Sequence, residues 1–339
     1  MLPETDLFQT PLLYFQSDVI AENAAALRAA LPDNGRLIFS VKSFPEKSLL
    51  ESLKPHVDGF DISNSYEEEL LTQINPSFLS VVGPLASTVA VDSIPGKSVI
   101  LYQDHADDAI SAGSHDLLGL RVRVTDYFQT SENTQIFTRF CFGRNELLKR
   151  LRSSADDIAF HFHAPDHRLM CVSLFSSFFE SLQQADFALD RIRVMNIGGG
   201  WNTSNTDRLR SVCNYIERYV TAEIHIEPGA GLIHDAGVVI CKALRKHTAG
   251  TQKYLTIDAS PELHLRWSLP AFLDQERYGG DDEIQLCGPT VFEGDTVPIR
   301  GNFDVIKCGD LLVLSGLVSY SVSWNCTFNG IPRISVCVG

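Results

Sequence analysis

Lys42 closes an apolar run, Arg36-Leu-Ile-Phe-Ser-Val-Lys42, inside Phe39-Ser-Val-Lys-Ser-Phe-Pro45. A lysine ending a buried strand is poorly solvated, and desolvation disfavours its ammonium form. A partly neutral amine at such a point can form an imine with an aldehyde cofactor. The plainer reading is a lysine whose stem lies along apolar surface with its head in water. What favours chemistry is the position of the other unusual residues. Asp61 and His163 end apolar runs of their own, Gly198-Gly-Gly200 follows another, and Glu227 precedes Pro228-Gly229. Three glycines lack Cβ atoms, so backbone amides there can approach an anion, although a tight turn is an equally common use. The triplet lacks GxGxxG spacing and comes late in the chain, which argues against a dinucleotide fingerprint. A phosphate on a smaller cofactor fits better. Glu227 facing a pyridine nitrogen would keep it protonated, which makes a pyridoxal ring an electron sink; otherwise it is a salt-bridged structural acid. His161, His163 and His167 invite a zinc reading, but no convincing four-ligand set forms around them. A stacking or hydrogen-bonding His163 is expected instead.

Positioning these residues falls to a repeated element pattern. Apolar, β-rich runs occur at 37–42, 57–62, 78–83, 98–103, 118–124, 158–163, 192–197 and 223–227. Separations long enough for crossover helices imply a parallel sheet buried on both faces. Eight such strands predict a (β/α)8 barrel, with a doubly wound open sheet as the alternative. The unusual residues then share one mouth, at the carboxyl ends of the strands. Asp18 is expected to cap a helix through Ile20, Ala24, Leu27 and Leu31, stopped by Pro32-Asp-Asn-Gly35, and Ser65 to cap another. After about residue 236 the runs are separated by Gly, Pro, Asp and Asn, which predicts an antiparallel β domain. The expected organisation is a barrel over 25–235 and a β domain from 1–24 plus 236–339, with Pro11-Leu-Leu-Tyr-Phe15 joining the latter.

Composition restricts the partners. With 28 Lys and Arg against 42 Asp and Glu in 339 residues, the net charge of −14 disfavours non-specific nucleic-acid binding. No apolar run reaches membrane-span length, and Met-Leu-Pro-Glu-Thr-Asp lacks a signal-peptide pattern, so a cytoplasmic protein is expected. Eight cysteines stand singly without a CxxC pair, which suits reduced core thiols and supports no zinc or redox motif.

Taken in order, the motifs resemble the fold type III pyridoxal-phosphate (PLP) decarboxylases: ornithine, diaminopimelate and carboxynorspermidine decarboxylases, with alanine racemase more distant. Phe39-Ser-Val-Lys42 is similar to the family segment whose lysine holds PLP as a Schiff base. Phe60-Asp-Ile-Ser-Asn-Ser-Tyr-Glu67 resembles the next strand-to-helix motif, and Phe160-His-Phe-His163 the segment whose last histidine stacks on the ring. Gly198, Gly199 and Gly200 match the phosphate loop, and Glu227-Pro-Gly229 the acid at the pyridine nitrogen. Cys287-Gly-Pro-Thr-Val-Phe-Glu-Gly-Asp295 resembles a loop contributed across a dimer interface, and Tyr320 falls at a cofactor-contacting tyrosine. The resemblance implies Lys42, His163 and Glu227 as catalytic residues, with Asp61, Glu67, the three glycines, Gly229 and Tyr320 also binding PLP. Asp258, suited to an amine, and Arg266, suited to a carboxylate, lie with Glu293 where relatives bind the substrate. A homodimer with shared sites acting on an amino acid is implied.

There are departures. Val291 replaces the loop cysteine, Ala230 the arginine that often follows Glu-Pro-Gly, His163-Ala-Pro-Asp166 a His-x-Gly-Ser segment, and Val318-Ser-Tyr320 a Gly-Ala-Tyr motif. They imply altered proton delivery and an altered phosphate clamp, and suggest specialised metabolism such as siderophore assembly. The expected activity is amino-acid decarboxylation. The alternatives are a PLP-dependent racemase or epimerase, and a non-catalytic PLP-binding or regulatory protein.

Overall fold

The computed structural model describes residues 9–89, 97–105, 108, 115–128, 138–153, 155–317, 319–321, 323 and 326–339. Val318 therefore lies outside the described residues. In chain order, β1 (Leu12–Phe15) and α1 (Ser17–Arg28) precede eight strands: β2 (Arg36–Ser40), β3 (Gly59–Ile62), β4 (Phe78–Val82), β5 (Ser98–Gln103), β6 (Leu117–Val122), β7 (Ile158–Phe162), β8 (Ile192–Asn196) and β9 (Glu223–Ile226). Between them lie α2 (Lys47–Leu53), α3 (Ser65–Leu71), α4 (Arg144–Arg152), α5 (Val172–Gln184) and α6 (Thr206–Ile216). There follow β10 (Gly237–Ala249), β11 (Gln252–Ile257), α7 (Pro261–His264), β12 (Ala271–Phe272), α8 (Gln275–Tyr278), β13 (Asp282–Cys287), β14 (Thr296–Gly301), β15 (Leu311–Ser315) and β16 (Ser335–Val338).

Strands β2 to β9 pair in parallel and close into a barrel, with β2 against β9 at Arg36↔His225 and Leu37↔Ile226. Their near-continuous apolarity is what a sheet covered on both faces requires. Ile38, Phe78, Val82, Ile100, Tyr102, Ala159 and Val194 pack together as one buried cluster. On the outer side, Phe178 of α5 meets Phe160 and Phe162 of β7 edge-on, at 5.1 and 4.9 Å between ring centres. Each such buried phenylalanine stabilises the fold by about 1.5–3 kcal/mol.

The chain divides into two compact units. The barrel unit takes Glu22–Lys42 and Leu53–Leu232; the sheet unit takes the described part of Met1–Ala21 with Ser43–Ser52 and Ile233–Gly339. Ser43–Ser52 groups with the sheet unit because Phe44 packs edge-on to Phe15 and the Ser43 carbonyl accepts from Ser323 Oγ. In the sheet unit the path runs β12-β15-β10-β11-β13-β14, with β1 on β10 and β16 on β1.

Three expectations are corrected. The sheet is mostly antiparallel, but β1·β16 and β11·β13 are parallel; α7, β12 and α8 supply the long crossover that the second of these needs. Six of the eight barrel strands end one or two residues earlier than their apolar runs, β3 and β5 ending with theirs; for β2, ladder pairing with β3 stops at Ser40↔Asp61. Val41 stays fully buried in the 3₁₀ turn Val41–Ser43, so apolarity does not mark the strand end. Helix caps shift as well: Asn64, not Ser65, caps α3, and α1 begins at Ser17 with Asp18 in its first turn and ends at Arg28. Among the described residues, no helix is long and apolar enough to cross a membrane.

Candidate active site

Inside the carboxyl-end mouth of the barrel, polar side chains interrupt otherwise apolar strands: Ser40, Asp61, Ser80, His161 and Asn196, all buried. They organise two buried carboxyl groups. Glu227, just past β9, accepts at Oε1 from Ser80 Oγ (2.6 Å) and Asn196 Nδ2 (2.5 Å), and pairs at Oε2 with His161 Nε2 (2.9 Å). Burial by itself would raise this carboxyl's pKa, but the His161 imidazole, Lys42 and the Ser80 hydrogen bond reverse it. Glu227 is therefore an anion. The Tyr102 ring lies 5.1 Å from that of His161.

Asp61, in β3, accepts at Oδ2 from Lys42 Nζ (2.9 Å) and Ser40 Oγ (2.8 Å), while Oδ1 is buried without a partner. Burial and the Glu227 charge push its pKa up, and Lys42 draws it back. Lys42 departs from expectation. It sits in the 3₁₀ turn beyond β2 with a side chain 42% exposed. The tether to Asp61, not desolvation, is what distinguishes this amine.

A cleft of about 480 Å³ opens over these groups, lined among others by Lys42, Ser63, Arg121, Arg139, His163 and Glu227. His163 stands on its wall with its surface open to the cleft. Desolvation in the concave mouth, then Arg121, His161 and Lys42, lower its pKa, which favours a neutral ring. Arg121 pairs with buried Asp104 at 3.1 Å, and its guanidinium lies 5.0 Å from the Phe140 ring centre.

Glu67 is engaged locally. Its carboxylate accepts from Ser63 N at 2.6 Å, while its own amide donates to Asn64 Oδ1 at 3.0 Å, an arrangement that caps α3. At the glycine triplet, Gly198 and Gly200 have φ of 64° and 87°. A Cβ on Gly198 would stand 2.1 Å from Phe162 O, and one on Gly200 2.6 Å from His167 Cβ. Gly198 is thus demanded first by the close passage of backbone past the end of β7, Gly199 by the Glu227 carbonyl and Gly200 by the His167 side chain. Gly198 N donates to Asn196 Oδ1. Among the described residues, the amides of Gly199, Gly200 and Trp201 donate to nothing. Gly229 is buried, and its carbonyl accepts from Leu232 N.

The remaining expected residues belong to the sheet unit. Asp258 accepts from Lys242 N at 2.8 Å. Arg266 pairs with Glu262 at 3.5 Å and lies over the Trp267 ring. Tyr320 is half-buried in the turn Ser319–Ser321, and Glu293 is exposed on the loop between Cys287 and Asp295. Buried Asp295 gathers that loop: it accepts from Ser260 Oγ, Glu262 N, and the amide and hydroxyl of Thr290. Among the described residues, no group of three His, Cys, Asp or Glu is arranged to hold a metal.

Comparison with known proteins bears on this geometry. No family model matches the chain. A diaminopimelate decarboxylase of Bacillus subtilis is 26% identical over 166 residues, covering 42% of this chain and 38% of that relative. The matched region thus spans well under half of that curated protein. A second, from Zymomonas mobilis, is 20% identical across 94% of this chain and 74% of its own length. Among solved structures, carboxynorspermidine decarboxylase from Campylobacter jejuni, complexed with norspermidine, superposes with a TM-score of 0.75 at 17% identity, covering 98% of this chain and 94% of that one. SrLDC, solved with PLP and cadaverine, gives 0.77 at 17% identity over 99% and 93%. The chain resembles the fold type III decarboxylases in sequence and shares their fold.

On that fold, sequence reasoning overlooked Ser40, Ser80, Arg121 and Asn196, and read His161 only as a metal ligand. The available signal was a polar residue at an inward-facing position of an otherwise apolar strand, since successive side chains of a strand point to opposite faces.

Proposed function

We propose that the protein is a PLP-dependent amino-acid decarboxylase. The observation that carries the reading is the state of Glu227. A carboxylate offers about four lone-pair positions; Ser80, Asn196 and His161 take three, and Oε2 keeps one in a carboxylate that lines the same cleft as Lys42. The residues fit PLP. A buried anion suits a pyridine N–H, unpaired amides at Gly199–Trp201 suit a phosphate, and a tethered amine suits an aldehyde. PLP, when bound, supplies that aldehyde and a ring that accepts the electrons released as the bond to the leaving carboxylate breaks.

The chain's own residues do the rest. Lys42 Nζ would hold the cofactor covalently until the substrate amine displaces it, and Asp61, which accepts from Nζ at 2.9 Å, would position that nitrogen. Glu227 would keep the proton on the pyridine nitrogen, and neutral His163, on the wall of the same cleft, would border the ring. Val291 has no proton to give, so the proton returned to Cα comes from Lys42 Nζ, with Glu293, Cys287 or water as the alternatives. Asp258 and Arg266 are proposed to read an amine and a carboxylate on the distal part of the substrate. The departures at Val291, Ala230 and Asp166 support a specialised-metabolism role, and the free single cysteines suit a reducing, cytoplasmic setting. Exposed Val291, Phe292 and Phe328 support pairing of the sheet unit with a second copy.

Borohydride treatment of the purified protein is expected to leave a pyridoxyl group on the Lys42 peptide by mass. Attachment at another lysine would overturn the site assignment. Screening diamino acids for CO2 release then tests the activity, and a product epimerised without CO2 loss would favour the racemase.

A further inference from the structure

The departures at Ala230 and Asp166 remove the arginine and the serine that the resemblance implies for the phosphate clamp. Asp166 is spent on Arg168, which it binds at 2.6 Å, and Ala230 is exposed with no charge to offer. A different cation stands beside Gly200. From the first turn of α6, Arg208 Nη2 makes a close contact with His167 Nε2. Asn205 Nδ2 donates to the same ring nitrogen at 3.0 Å and to Gly200 O, also at 3.0 Å. His167 Cβ would meet a Cβ on Gly200 at 2.6 Å, so the imidazole, the amide and the guanidinium crowd one edge of the glycine loop.

This cluster is short of an acceptor. Arg208 Nε is buried without a partner, and among the described residues no carboxylate pairs with its guanidinium. The groups that face Arg208 are the Trp201 ring, 5.6 Å away, and His167. Desolvation and the Arg208 charge lower the His167 pKa, so the ring is neutral and accepts at Nε2. Two donors, Arg208 and Asn205, compete for that one lone pair. The unpaired amides of Gly199, Gly200 and Trp201 belong to the same loop. An arginine fork is the donor best matched to a phosphate.

We propose that Arg208, backed by His167 and Asn205, is the cation that binds the phosphomonoester of the cofactor at the Gly199–Trp201 amides, in place of the arginine absent at Ala230. The clamp has moved from the loop after β9 to the helix after β8. This rests on PLP being the cofactor, and it assigns the phosphate to residues that no motif marks.

The test compares PLP with pyridoxal, which lacks the phosphate, as ligands of the full-length protein freed of cofactor. Dissociation constants come from absorbance titration. Arg208→Gln is expected to weaken PLP binding about tenfold or more, the loss of one charge-assisted contact worth about 1.4 kcal/mol, and to leave pyridoxal binding unchanged. Inorganic phosphate should compete with PLP in the wild type and much less in the variant. Adding Ala230→Arg to Arg208→Gln should recover part of the lost affinity. Equal loss for PLP and pyridoxal would mean that Arg208 only supports the fold through Trp201 and His167, and unchanged PLP affinity would equally overturn the clamp. Should Arg208→Gln not fold, Arg208→Lys carries the test, with an intermediate loss for PLP alone expected and no loss overturning the proposal. A wild-type protein that binds neither PLP nor pyridoxal would instead remove the cofactor reading, and the clamp with it.

Discussion

Two buried carboxyl groups in one barrel mouth are set apart by their donors. Glu227 has three neighbouring groups to share its charge, whereas Asp61 has Lys42 and Ser40 for one oxygen and nothing for the other. The assigned role depends on Glu227 being an anion, so Glu227→Gln is the sharpest residue-scale test. A neutral amide keeps the shape but cannot hold a proton on the pyridine nitrogen. The variant should still take up PLP, while CO2 release at cofactor saturation falls about 100- to 1,000-fold, the range seen for loss of one preorganised electrostatic contact. Turnover within twofold of wild type would remove the electron-sink role.

At the scale of elements, the barrel closes through β2 and β9, and a charged cluster sits on that seam. Arg36 Nε meets Glu223 Oε2 at 2.7 Å, and His225 Nε2 meets the same oxygen at 2.9 Å. The His225 hydrogen bond, opposed by partial burial and helped by Arg36, holds Glu223 down to about 2 from an ordinary 4.5. A depressed carboxyl contributes stability that is present above the unfolded value and lost as pH falls toward the folded one. Burial lowers His225 as well, so acidification below its ordinary 6.5 opposes folding with the same sign. Urea midpoints of the wild type should therefore fall between pH 4.5 and 2, and Glu223→Gln should flatten that fall. An unchanged slope would show that the seam does not set acid stability. In the sheet unit, Asp295→Ala strands the donors of Ser260, Glu262 and Thr290. Leaving buried donors unpaired costs about 1–3 kcal/mol each at most, so a loss of roughly 3 kcal/mol is expected in urea unfolding. A loss under about 0.5 kcal/mol, the range of ordinary surface changes, would mean that the loop is not pinned there.

For the whole molecule, the expected partner is a second copy. The sheet unit leaves Val291 83%, Phe292 51% and Phe328 49% exposed, with the two phenylalanine rings 6.5 Å apart. Monomers rarely leave contiguous apolar patches of this kind in water, and a two-fold dimer would bury the patch on both copies. Wild-type protein should sediment as a dimer and Phe292→Asp as a monomer. An unaltered sedimentation coefficient in the variant would place the pairing surface elsewhere.

Much of this protein was legible in its chain. Eight apolar runs at crossover spacing pointed to a parallel sheet covered on both faces, and its closure through β2 and β9 decided for the barrel over the doubly wound alternative. The motif residues Lys42, Asp61, His163, Gly198–Gly200 and Glu227 could be assigned to one mouth because parallel strands bring their carboxyl ends to the same side. The partners were not legible. Ser80 reaches Glu227 across 147 residues of chain, His161 across 66 and Asn196 across 31, and no local pattern encodes such distances. The expected burial of Lys42 failed for the same reason: an apolar run reports which side chains avoid water, not where ladder pairing stops. Closure of the barrel placed Asp61 beneath the amine, His161 beside Glu227 and Arg208 beside the glycine loop. Those contacts are set by register between strands and by the turns that follow them, which only the tertiary structure fixes.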